Sequence, residues 1–597
     1  MREKVKHFID AHFIGLSGIL MFFFYLALIL LQHFIPRTAK YGLTNISVIF
    51  VVLGTGLVIY SFIPEQINYM ASRFRHWSIQ ITNQLTPKGV FFIILTLIVI
   101  GFYLRFNNLG NRSFWTDELI TTYAAIGLLQ HGTPVMPSGE AYTRALLNTY
   151  LIALSFKTFG ISEFSARIVS VIFGTLIIPL VYLLGKELEN KRVGIIAALL
   201  ITFSAFEILW AREARMYAQF QFFYLLTAYL FYIGIKKGSS KLFLFSGLSF
   251  ICAWYSHVLS LCFIPVAVTY ILLCKRREFL KNKYLVYATL GILGIAVVYM
   301  ILTGKTPLDY YPLTAPKWGK HTFLHYAFAS KLFTLFVLVV ISSIISLLLW
   351  KLGLYKNKNP LVYLMLNFFI PFIILSISPW KTVRYSFFIF PFLILLASSA
   401  IDFYAARNWG NNDNALCTQT SKAFRVKSEL VKNIKTIITV ILILLLFIQV
   451  SSDIYFVSHD SYNFYHDCPE NWKKGCEFVK EHLSEDDKIA TNIPLATLYY
   501  VGRVDYGIYG GLNDRDINGT LTDSSTGVIV LNNYSLFMQK VKTEKGWLIV
   551  DQHRLNEYFT ETVRDYIRNN MTFYPEGSDE TIEVYSWGNV SFRKERT

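Results

Sequence analysis

Stretches of about 20 largely apolar residues, long enough to cross a bilayer as a helix, recur through most of this chain and restrict what it can fold into. About thirteen can be drawn, at 12–32, 43–63, 88–106, 167–185, 193–210, 217–235, 241–256, 258–274, 284–303, 331–350, 361–379, 385–405 and 433–452. Little more than His257 separates the seventh from the eighth. Hydrophobic residues make up 54% of the chain and charged residues 16%, and the mean hydropathy is +0.43. The expected fold class is a mostly α polytopic membrane protein.

The basic residues set the expected orientation. With the N-terminus inside, the inner connections carry Arg2, Lys4 and Lys6, then Arg73, Arg75 and Lys88, then Lys186, Lys191 and Arg192. Lys236, Lys237 and Lys241 follow, then Lys275 to Lys283, Lys351 to Lys358, and a linker from Arg407 to Lys435. Connections on the other side are poorer in Lys and Arg or are long, as the positive-inside rule requires. The expectation is therefore a multi-pass protein of the cell membrane with a cytoplasmic N-terminus and an extracytoplasmic C-terminal part. The first span follows its basic residues without a small-residue cleavage site and reads as a signal anchor. Net charge supports the same view. Residues 453–597 hold 15 Lys and Arg against 23 Asp and Glu, so the +17 of the whole chain leaves +25 on residues 1–452. That excess matches inner loops and anionic lipid and excludes a nucleic-acid footprint as its explanation.

Three regions are expected: two N-terminal spans in 1–87, a membrane catalytic region 88–452 with a long outer loop 107–166, and a soluble extracytoplasmic domain 453–597. In the last, strand-like runs at 488–491, 527–531 and 547–550 alternate with helical stretches near 472–482, 535–542 and 558–569, which suggests a small α/β domain. Cys468 and Cys476 lie there and could form a disulfide or remain free thiols. Cys252, Cys262, Cys274 and Cys417 read as structural. Sequons at Asn518, Asn533, Asn570 and Asn589 fit an outer location.

Just beyond the span 88–106 stands Phe114-Trp115-Thr116-Asp117-Glu118. Carboxylates are scarce in the membrane part, with 16 in residues 1–452, and an ionisable group beside a bilayer is a functional candidate. The same face receives Ala211-Arg212-Glu213-Ala214-Arg215-Met216-Tyr217, Trp254-Tyr255-Ser256-His257 and Trp380-Lys381-Thr382-Val383-Arg384-Tyr385. Four connections thus gather acids, arginines, tyrosines and a histidine at one membrane surface.

In order and spacing these segments resemble the C-type (GT-C) integral-membrane glycosyltransferases, in particular the superfamily of protein O-mannosyltransferases and aminoarabinose lipid A transferases. The resemblance rests on Trp115-Thr116-Asp117-Glu118, on 132–139 followed by Tyr142 and Arg144, on 159–167, on Arg212-Glu213-Ala214-Arg215-Met216-Tyr217, and on Arg384-Tyr385 before Phe390-Pro391. It covers about 88–452. It implies a GT-C fold, a sugar donor carried on a polyprenyl or dolichyl phosphate, and inversion at the anomeric carbon. Asp117 matches the family's acid and can take the acceptor proton, with Glu118 and Glu213 as further catalytic candidates. Arg215, Arg384 and Arg212, with Tyr217 and Tyr385, are candidates for the donor phosphate. Tyr142 and Arg144 are candidates for the acceptor loop. His257 and Glu213 are candidate ligands for a divalent cation: oxygen ligands alone suit Mg²⁺, Mn²⁺ or Ca²⁺, and His257 admits Zn²⁺.

Each residue also has a plainer reading. Glu213 can pair locally with Arg212 or Arg215, and Glu163 with Arg167 at helical spacing. The arginines can snorkel at span ends and the tyrosines can belong to an interfacial belt. The sugar, the prenyl lipid and the acceptor (protein, lipid or polysaccharide) are left open by the sequence. Two other function classes compete: a flippase or transporter of lipid-linked sugars, and a non-catalytic glycan-binding membrane scaffold.

Overall fold

The computed structural model describes residues 86–275, 294, 359–377, 383–406, 471–508, 514–517 and 519–590. The expected spans 12–32, 43–63, 284–303, 331–350 and 433–452 lie outside the described residues, as do the basic linker and Cys468.

Helix α1, Pro87–Phe106, opens with Pro87 in its first turn and Thr86 as its cap, whose Oγ1 accepts the Gly89 N–H at 3.1 Å. The loop 107–166 contributes α2, Thr116–His131, and α3, Leu146–Phe159. Gly132 ends α2 with φ +75°, a conformation open to glycine at little cost. Then come α4, Glu163–Leu188, α5, Lys191–Phe203, the short α6, Ala205–Trp210, α7, Tyr217–Lys237, and α8, Ser240–Ser256. A 3₁₀ turn at Val258–Cys262 leads into α9, Phe263–Tyr270. Helix α10 is Asn359–Ile377, and a second 3₁₀ run, Val383–Ile389, feeds α11, Phe390–Ala406. Among the described residues, five helical stretches are long and apolar enough to cross a membrane: Pro87–Phe106, Glu163–Leu188, Tyr217–Lys237, Asn359–Ser376 and Arg384–Asp402. The molecule is an integral membrane protein.

One expected span is interrupted. Residues 193–210 break at Ser204 into α5 and α6. The carbonyls of Ile201 and Thr202, freed at the break, accept from the Arg105 guanidinium at 3.1 and 3.4 Å, so a buried cation satisfies a helix C-terminus. Helices α4 and α5 pack closely at Gly185 and Gly194. A Cβ on Gly194 would stand 2.5 Å from the Tyr182 carbonyl oxygen, so only glycine permits this approach.

After α12, Trp472–His482, the chain builds an eight-stranded mixed sheet in the order β3-β4-β5-β2-β1-β6-β8-β7. The strands are β1 Lys488–Thr491, β2 Tyr506–Ile508, β3 Arg515–Ile517, β4 Thr520–Thr522, β5 Ile529–Leu531, β6 Gly546–Asp551, β7 Thr572–Phe573 and β8 Ile582–Trp587. Strands β5, β2, β1 and β6 run parallel; the outer pairings are antiparallel. Helix α13, Pro494–Val501, follows β1, and α14, α15 and α16 (Tyr534–Thr543, Gln552–Tyr558, Glu561–Asn570) complete the domain. Side chains alternate along β6: Trp547 and Ile549 join one core while Leu548 and Val550 join the other.

The first of those cores is shared with the membrane part. Leu119, Ala124 and Ala125 of α2 and Ile152 and Phe156 of α3 are buried in one cluster with Trp472, Ile493, Leu495 and Trp547. Polar contacts reinforce the seam. The Trp472 N–H donates to Ser113 Oγ at 3.1 Å, and Lys473 Nζ lies 3.0 Å from Glu163. The Tyr500 hydroxyl accepts from the Phe114 N–H at 2.8 Å and donates to Glu163 at 2.9 Å. Glu163 therefore joins the tail to the loop 107–166. Its expected partner Arg167 is engaged elsewhere, which corrects the helical-pair reading. Cys476 is a buried free thiol inside this core; the Cys468 half of the expected pair lies outside the described residues.

Candidate active site

Asp117 stands in the first turn of α2, where the helix N-terminus favours a carboxylate. Its side chain keeps 24% of its surface open, enough for a reactant to reach it. Its Oδ2 lies 3.2 Å from Arg384 Nη1 and 3.6 Å from Arg215 Nη2. Arg215 Nη1 also donates to the Asp117 carbonyl and to Thr121 Oγ1, each at 2.7 Å. Burial alone would disfavour the Arg215 charge, but Asp117, then Tyr217 and Tyr142, more than offset it and raise the guanidinium pKa. Arg384 lies over the rings of Trp115 and Tyr385, 5.5 and 5.9 Å from their centroids. One carboxylate facing two guanidiniums leaves the cluster with a positive excess suited to a phosphate.

His257 borders this cluster. Its ring stacks on Phe220 at 5.2 Å and lies 5.8 Å from Tyr385. Burial first, then Arg215 and Arg384, lower its pKa to about 3, so the imidazole is neutral at pH 7. Its Nδ1 accepts the Leu259 N–H at 3.1 Å and caps the following 3₁₀ turn. The folded pKa lies below the ordinary value of about 6.5, so the stability tied to this group is complete above pH 6.5 and declines as pH falls toward 3. His257→Asn keeps a cap acceptor and removes the titration. We expect its melting temperature to fall less than wild type's between pH 6.5 and 4.5; equal slopes would show that the folded protein does not depress the His257 pKa.

Glu118 is adjacent to Asp117 in sequence and differs from it in every structural respect. It is fully buried, and it accepts from Arg167 Nε at 2.8 Å, Arg167 Nη2 at 2.6 Å and the Ala214 N–H at 2.7 Å. It also reaches back to the Trp115 N–H at 3.4 Å. Arg167 spends its remaining donors on the carbonyls of Leu109, Arg112 and Ser113. The pair locks α2, the loop before it and residues 211–216 together, and both Glu118 carboxylate oxygens are engaged in it. Glu213 is likewise fully buried: Trp115 Nε1 donates to it at 2.7 Å and Arg112 pairs with it. The Arg215 N–H also donates to the Glu213 carbonyl at 2.7 Å, and the Glu213 carboxylate orients the Trp115 ring on which Arg384 rests.

The other expected residues divide. Tyr217, Tyr385 and Tyr142 fall at the Asp117 cluster. Arg212 Nη1 donates to the Leu104 carbonyl at 3.2 Å, capping the end of α1. Arg144 is exposed before α3, next to Ala145 with φ +47°. Trp380 to Thr382 lie outside the described residues. Among the described residues no group of three or more His, Cys, Asp and Glu side chains gathers as a cation site. Of the two candidate cation ligands, His257 uses its Nδ1 as a cap and Glu213 is held by Arg112 and Trp115.

Sequence reading passed over a second polar group, beneath the first. Arg105, Glu207, Gln219 and Gln221 are all fully buried. The signal was present: an arginine and a glutamate stand inside the apolar runs 88–106 and 193–210, where such residues are rare without a task.

The family model for dolichyl-phosphate-mannose-protein mannosyltransferases matches residues 143–302. An uncharacterised protein of Aquifex aeolicus (strain VF5) is 26% identical over 204 residues, a match that spans 40% of that relative's length and 33% of this chain. Among solved structures, ArnT from Cupriavidus metallidurans superposes with a TM-score of 0.51 at 11% identity, over 83% of this chain and 97% of that one. The Archaeoglobus fulgidus oligosaccharyltransferase gives 0.53 at 12% identity, over 85% of this chain and 76% of that one. The chain has the fold of the GT-C integral-membrane glycosyltransferases.

Proposed function

We propose that the protein is a glycosyltransferase that takes a sugar from a polyprenyl-phosphate donor and passes it, with inversion, to an acceptor at the outer face of the membrane. The observation that carries this reading is the Asp117 carboxylate held between Arg384 and Arg215 at the edge of the spans. The acceptor oxygen or nitrogen attacks the anomeric carbon, the bond from that carbon to the phosphate oxygen breaks, and the phosphate leaves with the electron pair. Asp117 accepts the acceptor's proton. Arg384 and Arg215 receive the charge that develops on the phosphate. An arriving phosphate competes with Asp117 for both guanidiniums, so donor binding frees the carboxylate to act as a base. An ArnT structure of this fold is bound to undecaprenyl phosphate, which supports the class of donor.

In this reading the N-terminus is cytoplasmic, residues 453–597 form the outer domain, and that domain helps hold the acceptor. Arg554 Nη2 donates to Thr116 Oγ1 at 3.3 Å, one residue from Asp117. Arg554→Ala is expected to raise the acceptor KM about tenfold with the donor KM unchanged. A change in donor KM alone would remove the domain from acceptor binding. Product stereochemistry tests the reaction itself. NMR of the transferred sugar should show the anomer opposite to the donor's, whereas retention would require a covalent intermediate and exclude Asp117 as the base in a single displacement.

A further inference from the structure

The 3₁₀ run that carries Arg384 is seven residues long, Val383–Ile389. Such runs rarely exceed three or four residues, because their hydrogen bonds are poorly aligned and side chains three apart eclipse. Something outside the run must hold it. Phe387, one turn beyond Arg384, supplies the point of attachment: Gln221 Nε2 donates to its carbonyl at 2.7 Å. The same Nε2 donates to Glu207 Oε1, also at 2.7 Å. Arg105, which caps the end of α5, interacts electrostatically with Glu207. Phe206 packs edge-on against Phe387 and Phe390 at 5.3 and 5.2 Å, and Phe388 packs on Phe220 and Tyr224 at 4.9 and 4.8 Å. Gln221 and Glu207 are both fully buried. Polar groups at such a depth are costly unless bonded, and the transfer chemistry assigns these two no part.

We propose that Gln221, backed by Glu207 and Arg105, is a positioning residue for the reaction, holding the 3₁₀ turn that aims Arg384 at the donor phosphate. The inference rests on Arg384 being a donor-phosphate residue. The geometry explains why the turn matters. Three residues rotate by 360° in a 3₁₀ helix and by about 300° in an α-helix, so relaxation from one to the other swings Arg384 by about 60° relative to Phe387. That rotation would carry its guanidinium away from Asp117.

The test is a double-mutant cycle on the purified full-length protein, reading the Kd for undecaprenyl phosphate and the melting temperature of Gln221→Met, Arg384→Ala and the double variant. Gln221→Met keeps a linear side chain and loses both hydrogen bonds. It is expected to weaken undecaprenyl phosphate about tenfold, and the double variant should bind no more weakly than Arg384→Ala alone. Losses that multiply in the double variant, or a wild-type Kd for Gln221→Met, would overturn the proposal. Should Gln221→Met fail to fold, Glu207→Leu, which is similar in volume and removes the acceptor for Gln221 Nε2, runs through the same cycle with the same readings. A wild-type Kd for Arg384→Ala would instead remove the donor-site reading, and the positioning role with it.

Discussion

Asp117→Asn is expected to lower sugar transfer by at least about 10³-fold while the protein still inserts and folds. Loss of a positioned general base accounts for about 10²- to 10⁴-fold. Asparagine has nearly the shape of aspartate but cannot take up the acceptor's proton. The same change should tighten binding of undecaprenyl phosphate by about three- to tenfold, because the Asp117 carboxylate competes with phosphate for Arg384 and Arg215. Opposite effects on turnover and lipid-phosphate affinity are the signature of a base that is also a competitor. Weaker lipid-phosphate binding in the variant would mean that Asp117 supports the donor site; near-wild-type turnover would move the base elsewhere.

The largest effect on stability is expected at Glu118 and Arg167. Removing one member of a fully buried, hydrogen-bonded ion pair costs about 3–5 kcal/mol, because the charge left behind has neither water nor partner. Here Arg167 would keep three loop carbonyls, and the Ala214 N–H would lose its acceptor. Glu118→Ala should therefore lower the melting temperature sharply. It should also lower transfer, since the freed segment includes Arg215. Replacing both members with apolar residues of similar size, as in Glu118→Leu with Arg167→Met, should recover part of the lost stability. A melting temperature for Glu118→Ala close to wild type would contradict the architectural assignment.

How much was legible in the sequence differs between fold and site. The helices of the C-terminal domain stood out because charge and apolar residues alternate with helical period: α12 falls on the expected 472–482, and α14 and α16 lie within a few residues of 535–542 and 558–569. Strand β1 falls on 488–491. The break of 193–210 at Ser204 was not visible, since hydropathy averages over one polar residue and the capping cation Arg105 is about 100 residues away in the chain. At the site, the members Asp117, Arg215 and Arg384 could be drawn from order and motif, but their division of labour could not. Asp117 and Glu118 are neighbours of one chemical type; only the helix turn, which sends one toward Arg384 and the other toward Arg167, separates the partly exposed carboxylate from the buried one. Glu163 shows the same limit in reverse. Its spacing from Arg167 is right for a pair, yet each finds a better partner from another segment, Lys473 for the first and Glu118 for the second. The tail's burial against α2 and α3 was equally hidden, because a shared core depends on tertiary pairing and leaves no local period.

The most direct test of the account is sugar transfer by the purified wild-type protein reconstituted in liposomes and supplied from the outer face with a panel of polyprenyl-phosphate sugars and candidate acceptors. The account predicts transfer from one class of donor, with release of polyprenyl phosphate and formation of a glycosylated acceptor in equal amounts. Folded, correctly inserted protein that neither transfers nor hydrolyses any donor in the panel would contradict it.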